Sequence, residues 1–172
     1  PVPVLENVMG VSSSGLVHAD FSRDGLLAYV AGESQNLHTN LLHSFRDGRP
    51  SRKPKVQPAR NTSPKFSPDE SQIALTLAGN QAFDIWTFDL ESETMTRQTF
   101  MGDNTHPFWA SDGKELAFTS ARDGLGSAYA KPIDGSAEAR LIYSGSDDAS
   151  TGTVRPTDWT DTGLALDIDD RN

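Results

Sequence analysis

Two histidines have the spacing that could support metal chemistry. His18 and His106 each lie three residues before an aromatic, Phe21 and Trp109 respectively. Imidazoles held at one level can bind a divalent cation when a carboxylate joins them, and Asp20, Asp103 and Asp158 are the acids nearest in pattern. The corresponding places elsewhere in the chain hold Ser63 and Pro156, so hydrogen bonding is the preferred role and neither a metal nor a cofactor is expected. Asp103, Asn104, Arg122 and Arg155 are polar residues able to hydrogen-bond a ligand, and with the two histidines they form the expected ligand-binding set. His38 and His43 flank a strand and read as surface or half-buried. The stretches Ser144–Asp148 and Asp167–Asp170 supply carboxylates without the ligand spacing of a calcium loop.

Other chemistries are excluded more firmly. The chain has no cysteine, so disulfides, thiolate metal sites and cysteine nucleophiles are out. No nucleophile elbow, zinc-protease helix, phosphate-cradling loop or kinase catalytic loop is present, and the Gly-Leu-Gly at 124–126 reads as a connection between strands. No catalytic residue is expected within these residues. A net charge of -9 argues against nucleic acid, whose affinity comes from phosphate neutralisation. Apolar runs such as Leu26–Val30 and Ile73–Leu77 fall far short of the roughly 20 residues of a membrane span, and no leader pattern is visible, so this segment is expected neither to insert into a membrane nor to carry an export signal. Charge is uneven: residues 1–65 hold 8 basic and 5 acidic residues, a balance of +3, against -12 for 66–172. Arg46, Arg49, Arg52, Lys53, Lys55, Arg60 and Lys65 make a basic ribbon among prolines. It reads as a solvated edge hairpin, or as a surface for an acidic partner or another copy's acidic half.

The elements that would position these residues come from a repeat. An aromatic-led turn recurs as Phe21-Ser22-Arg23-Asp24-Gly25, Phe66-Ser67-Pro68-Asp69-Glu70, Trp109-Ala110-Ser111-Asp112-Gly113 and Trp159-Thr160-Asp161-Thr162-Gly163, at spacings of 45, 43 and 50 residues. An apolar-alanine-apolar triplet follows each: Leu27-Ala28-Tyr29, Ile73-Ala74-Leu75, Leu116-Ala117-Phe118 and Leu164-Ala165-Leu166. Asp-Gly supplies the positive-φ turn between antiparallel strands, and the aromatic and the triplet would be their buried faces. A second hairpin fits inside each period, around Asp47-Gly48, Asp89–Ser92 and Asp134-Gly135. The unit is four short strands in about 45 residues with no helical periodicity, the size of a β-propeller blade. His18 and His106 would then stand at equivalent places on innermost strands.

The motif Phe/Trp-Ser-Pro-Asp-Gly followed by Leu/Ile-Ala-Phe resembles the repeat of TolB-like, WD40-like propellers, also found as the propeller of dipeptidyl-peptidase-type enzymes. The resemblance covers residues 1–170. More narrowly, Val4–Val8, Phe21–Val30 and Phe45–Gly48 resemble the sensor region that follows the membrane segment in some bacterial serine/threonine kinases. Departures are Glu70 in place of a turn glycine and, in the fourth copy, an Asp displaced to Asp161. The resemblance implies a non-enzymatic module that binds a protein, peptide or other ligand, as the sensor or interaction part of a larger protein, in the periplasm or otherwise outside the cytoplasmic membrane. The alternatives are the regulatory propeller of a serine-peptidase-type hydrolase and a metal-dependent lyase using the channel histidines.

The expected fold class is therefore all-β, a propeller segment of about three and a half four-stranded antiparallel blades from a six- to eight-bladed ring. Within domain 1–172, a strand at 3–8 precedes blades at 17–57, 62–100 and 106–143 and the first hairpin of another at 155–168. The incomplete ring implies a fragment of a longer protein, two copies assembling as a homodimer that completes it, or an open stack. Binding is expected through the loops between blades and between second and third strands, whose residues are small and polar and lack an aromatic platform.

Overall fold

A computed structural model describes residues 10–11, 16–23, 25–31, 41–46, 49–52, 61–79, 81–124, 126–144 and 151–170. The expected strand at 3–8 lies outside the described residues, as do Lys53, Lys55, Arg60, His38, Asp147, Asp148 and the side chains of Arg46, Arg49, Arg52 and His43.

A short antiparallel pair, β1 (Gly10–Val11) and β2 (Leu16–Val17), comes first. Three four-stranded sheets follow in chain order. The first is β3 (Ala19–Phe21), β4 (Leu27–Ala31), β5 (Leu41–Arg46) and β6 (Arg49–Arg52). The second is β7 (Asn61–Phe66), β8 (Gln72–Ala78), β9 (Phe83–Asp89) and β10 (Met95–Arg97). The third is β11 (Asn104–Trp109), β12 (Glu115–Ser120), β13 (Ser127–Pro132) and β14 (Arg140–Tyr143). A hairpin, β15 (Thr151–Thr160) and β16 (Gly163–Asp170), ends the described chain. Each sheet is an antiparallel meander. The fold is all-β, with no helix among the described residues and none long and apolar enough to cross a membrane. It is a partial β-propeller.

The turn motif closes the first hairpin of each blade because its last residue takes a left-handed conformation: φ is +88° at Gly25 and +71° at Gly113. Glu70 occupies the same turn at +61°, so the missing glycine changes the residue and not the turn. Its carboxylate accepts the Arg23 backbone N–H of the preceding blade. The fourth hairpin is tighter, with Thr160 paired to Gly163 across Asp161 and Thr162.

Blades seal onto one another through the motif aromatics. Phe66 shares a cluster with Leu26 and Ala28 of the first blade, and Trp109 one with Ala74 and Ile85 of the second. The Trp109 indole N–H donates to the Lys65 carbonyl at 3.0 Å. Burial of an aromatic contributes on the order of 2 kcal/mol, so these rings account for much of each seam. The expectation that all four are core holds for Phe66 and Trp109, at 9% and 4% exposure, but not for Phe21 at 71%. Phe66 and Trp109 pack back onto the blade before them, and no four-stranded sheet precedes β3 to receive Phe21 among the described residues. Trp159 is half-buried.

Candidate functional site

His18 follows β2, half-buried, and its Nδ1 accepts the Ser63 N–H at 3.2 Å. Burial pushes its pKa below the ordinary 6.5, so the ring is neutral at pH 7 and suited to accept that bond. His106 occupies a bulge in β11 between Thr105 and Phe108, at φ +53°, and its Nδ1 lies 2.9 Å from the Thr105 hydroxyl. Ser63 occupies the matching bulge of β7, between Thr62 and Lys65, at φ +55°. Ser63 and His106, both left-handed without being glycine, thus mark one level of successive inner strands. At the equivalent place β15 carries Pro156, whose ring forbids that conformation. Among the described residues no three His, Asp or Glu side chains are grouped to hold a metal ion. His18 spends its Nδ1 on a blade-to-blade bond.

Asp103, Asn104 and Arg122 are brought together where the connection from the second to the third blade meets the loop between β12 and β13. Asp103 Oδ1 accepts the Phe83 N–H at 2.7 Å and its carbonyl accepts the Ala121 N–H at 2.9 Å, so this residue ties loops of two blades. Asn104 is fully buried and donates from Nδ2 to the carbonyls of Met101 and Gly102, at 3.0 and 3.2 Å. Gly102, at φ +77°, passes so close to Arg122 that a Cβ would lie 2.8 Å from the arginine Cβ. The Arg122 guanidinium lies 4.2 Å from the Tyr129 ring centroid and 5.7 Å from that of Phe118, and its Nε donates to Ser120 Oγ at 3.0 Å. Arg155 is apart from these, on β15, with Nη1 3.9 Å from Asp167 on the neighbouring strand. Three of the six expected residues form one loop junction, and their side chains largely hold it together.

Beside that junction runs a groove of about 600 Å³ lined by Trp86, Arg97, Phe100 and Gly102 with the loop after β8. Arg97 is fixed there: Nη2 donates to Asp84 Oδ2 at 2.7 Å, Nε to the Thr99 carbonyl at 2.8 Å, and the guanidinium lies 5.0 Å from the Phe100 ring. Thr99 Oγ1 donates to Asp84 Oδ1 at 3.0 Å and accepts the Ile85 N–H at 2.9 Å, so the buried carboxylate is satisfied. Phe100 is 69% and Met101 64% exposed. Phe100 ends the segment expected as a strand and so stands outside the loops expected to lack an aromatic platform, yet its exposed ring lies directly beside them. The signal was the Phe100-Met101 pair directly before Gly102, an apolar pair in a polar loop, which reads as strand end when counted with Thr94–Phe100.

A second cleft, of about 420 Å³, opens at the other end of the inner strands between Asp20, Lys65, Phe108, Trp109, Asp158 and Trp159. Lys65 Nζ spans it, 3.8 Å from Asp20 Oδ1 and 5.4 Å from the Phe108 ring centroid.

Comparison with known proteins agrees with this architecture. A family described as the TolB beta propeller domain matches residues 6–159. An uncharacterized protein of Agrobacterium fabrum is 32% identical over 148 residues, covering 82% of this chain and 45% of that protein. A structure assigned as TolB from Agrobacterium tumefaciens aligns with a TM-score of 0.63 at 24% identity, over 80% of this chain and 48% of that one. TolB from Acinetobacter baumannii aligns with a TM-score of 0.64 at 17% identity, over 89% and 40%. The chain spans about half the length of these relatives.

Proposed function

The chain belongs to the TolB beta propeller domain family, and from that membership we propose that it is a non-enzymatic module that binds a protein or peptide, as the sensor or interaction part of a larger periplasmic or otherwise extracytoplasmic protein. TolB-like propellers are protein-interacting domains, which supports the class of partner. The observation that carries the reading is the groove beside Phe100. Phe100 and Met101 expose apolar surface next to Trp86 and an arginine already held by Asp84, a rigid aromatic anchor with a polar rim of the kind that dominates protein interfaces. Asp103, Asn104 and Arg122 stiffen the loop junction beside it, and His18 and His106 set the inner strands, so the expected ligand residues serve mainly as scaffold. A lyase built on the two histidines has no third ligand to draw on among the described residues. A second copy completing the ring is a further partner of this module.

A random-peptide phage library selected on the purified chain tests the binding reading. Enriched peptides are expected to bind the wild type and to lose about tenfold or more with Phe100→Ser, whose ring is exposed and leaves the core intact. No enrichment, or binding indifferent to that substitution, would count against the groove.

A further inference from the structure

We propose that the peptide recognised at the Phe100 groove is acidic: an apolar side chain seats against Phe100 and Trp86, and neighbouring Asp or Glu side chains pair with the guanidinium groups of Arg97 and Arg122. The inference deepens the binding reading above, on which it rests, by naming the chemistry of the partner.

A guanidinium carries five N–H donors in a fixed fork, which suits it to carboxylates. Arg97 spends part of that fork inside the protein, Nε on the Thr99 carbonyl and Nη2 on Asp84 Oδ2. Nη1 has no acceptor among the described residues, and the side chain, 40% exposed, lines the groove. Arg122 is held in the same manner, with Nε on Ser120 Oγ and the guanidinium 4.2 Å from the Tyr129 ring centroid, and its Nη groups have no acceptor among the described residues. The two arginines adjoin one short segment: the Arg97 guanidinium lies over Phe100, and Arg122 packs against Gly102, two residues further on. Ring contacts and internal hydrogen bonds thus preset both cations, so little side-chain freedom is lost when a carboxylate docks.

The groups around them favour an acceptor over a cation. Asp84 is the one carboxylate lining the groove among the described residues, and it is buried and already accepts from Arg97 and Thr99, so it has little to offer an incoming cation. The Trp86 indole N–H, on the groove wall, has no acceptor among the described residues and adds a further donor. Asp103, beyond Gly102, commits Oδ1 to the Phe83 N–H. The net charge of -9 opposes an acidic peptide at long range, but physiological salt screens exposed charges over about 8 Å, whereas the guanidinium contacts act at hydrogen-bond distance. The site is built by the second and third blades, both of them four-stranded sheets.

Titration calorimetry with blocked hexapeptides tests this, each acetylated and amidated and carrying a Phe flanked by a pair of Asp, of Asn or of Lys on a Gly-Ser background. The Asp peptides are expected to bind tightest, with the Asn peptides about tenfold or more weaker and the Lys peptides weaker still. Arg97→Lys, which keeps a cation for Asp84, and Arg122→Gln are each expected to weaken the Asp peptides about tenfold and to leave the Asn peptides within about threefold, a coupling that a purely structural role would not produce. The peptide series on the parent chain decides the matter even where a variant unfolds. A peptide ending in Phe with a free carboxylate and no Asp is expected to bind no better than the Asn peptides, and tighter binding than the Asp peptides would overturn the proposal in favour of a chain terminus. Equal binding of all three series that is lost in Phe100→Ser would overturn this inference and leave the groove reading standing. No binding by any series, or an Asp preference indifferent to both arginines, would overturn it as well.

Discussion

Asp20 Oδ2 accepts the backbone N–H of Phe66 at 2.8 Å, across 46 positions of sequence and from one blade to the next. An inner strand has no sheet neighbour on its channel side, so a carboxylate from the preceding blade satisfies an amide that would otherwise lack a protein partner. Asp20→Ala is expected to lower stability by about 1–2 kcal/mol in urea unfolding, below the full value of a charged hydrogen bond because the carboxylate is partly exposed. Asp158→Ala, at the equivalent and exposed place of the last described hairpin, is expected to change stability by less than about 0.5 kcal/mol.

Gly102 separates conformational strain from steric clash. Gly102→Ala meets both a φ of +77° and a Cβ 2.8 Å from that of Arg122, whereas Gly25→Ala meets φ +88° in open space. The first is expected to cost about 2–3 kcal/mol and the second about 1 kcal/mol, measured by urea melts of the two variants.

His18 should make the first seam sensitive to mild acid. Burial holds its folded pKa below the ordinary 6.5, so the unfolded chain takes up the proton first. Its contribution is complete above pH 6.5 and is lost as pH falls through the folded value, where protonation also removes the acceptor of the Ser63 N–H. Chemical-shift titration is expected to give His18 a midpoint below 6.5, and His18→Ala to remove the loss of stability in that interval.

Much of this was legible in the sequence because repetition averages out local noise. Four aromatic turns with four alanine triplets predict hairpins, their order and the blade as a unit, and three four-stranded sheets and a final hairpin follow in that order. The fate of Phe21 was not legible. Its motif is the same as that of Phe66, and exposure depends on which sheet precedes it, which is tertiary information. Asp103, Asn104 and Arg122 are expected from sequence as ligand-binding loop residues, and the structure shows their side chains bonded to protein groups of neighbouring loops. Asp103, Asn104 and Arg122 are hydrogen-bonding residues in loops, and sequence cannot tell whether such groups spend their bonds on a ligand or on a neighbouring loop. The Phe100 groove was missed because a strand-end aromatic and a loop-exposed one look alike until the chain's path is known.

The turn aspartates should govern a separate and more acidic transition. Asp69 Oδ1 accepts Ser67 Oγ at 2.7 Å, the Ser71 N–H at 3.1 Å and Ser71 Oγ at 2.9 Å, and these bonds, led by Ser67, hold its pKa below the ordinary 3.8. Its contribution is complete above pH 3.8 and is lost as pH falls through the folded value. Asp69→Ala is expected to lower stability at pH 7 and to flatten the acid limb of the stability profile. An unchanged limb would assign acid unfolding to other groups.

The account stands most directly on the claim that consecutive blades are locked by carboxylate and aromatic groups of neighbouring inner strands. Amide hydrogen exchange at Phe66, followed by NMR on the parent and on Asp20→Ala, measures that lock at one atom. The predicted result is a protected Phe66 amide in the parent that exchanges about tenfold faster or more in Asp20→Ala, with Asp158→Ala leaving it unchanged. Free exchange at Phe66 in the parent, or protection indifferent to Asp20, would contradict it.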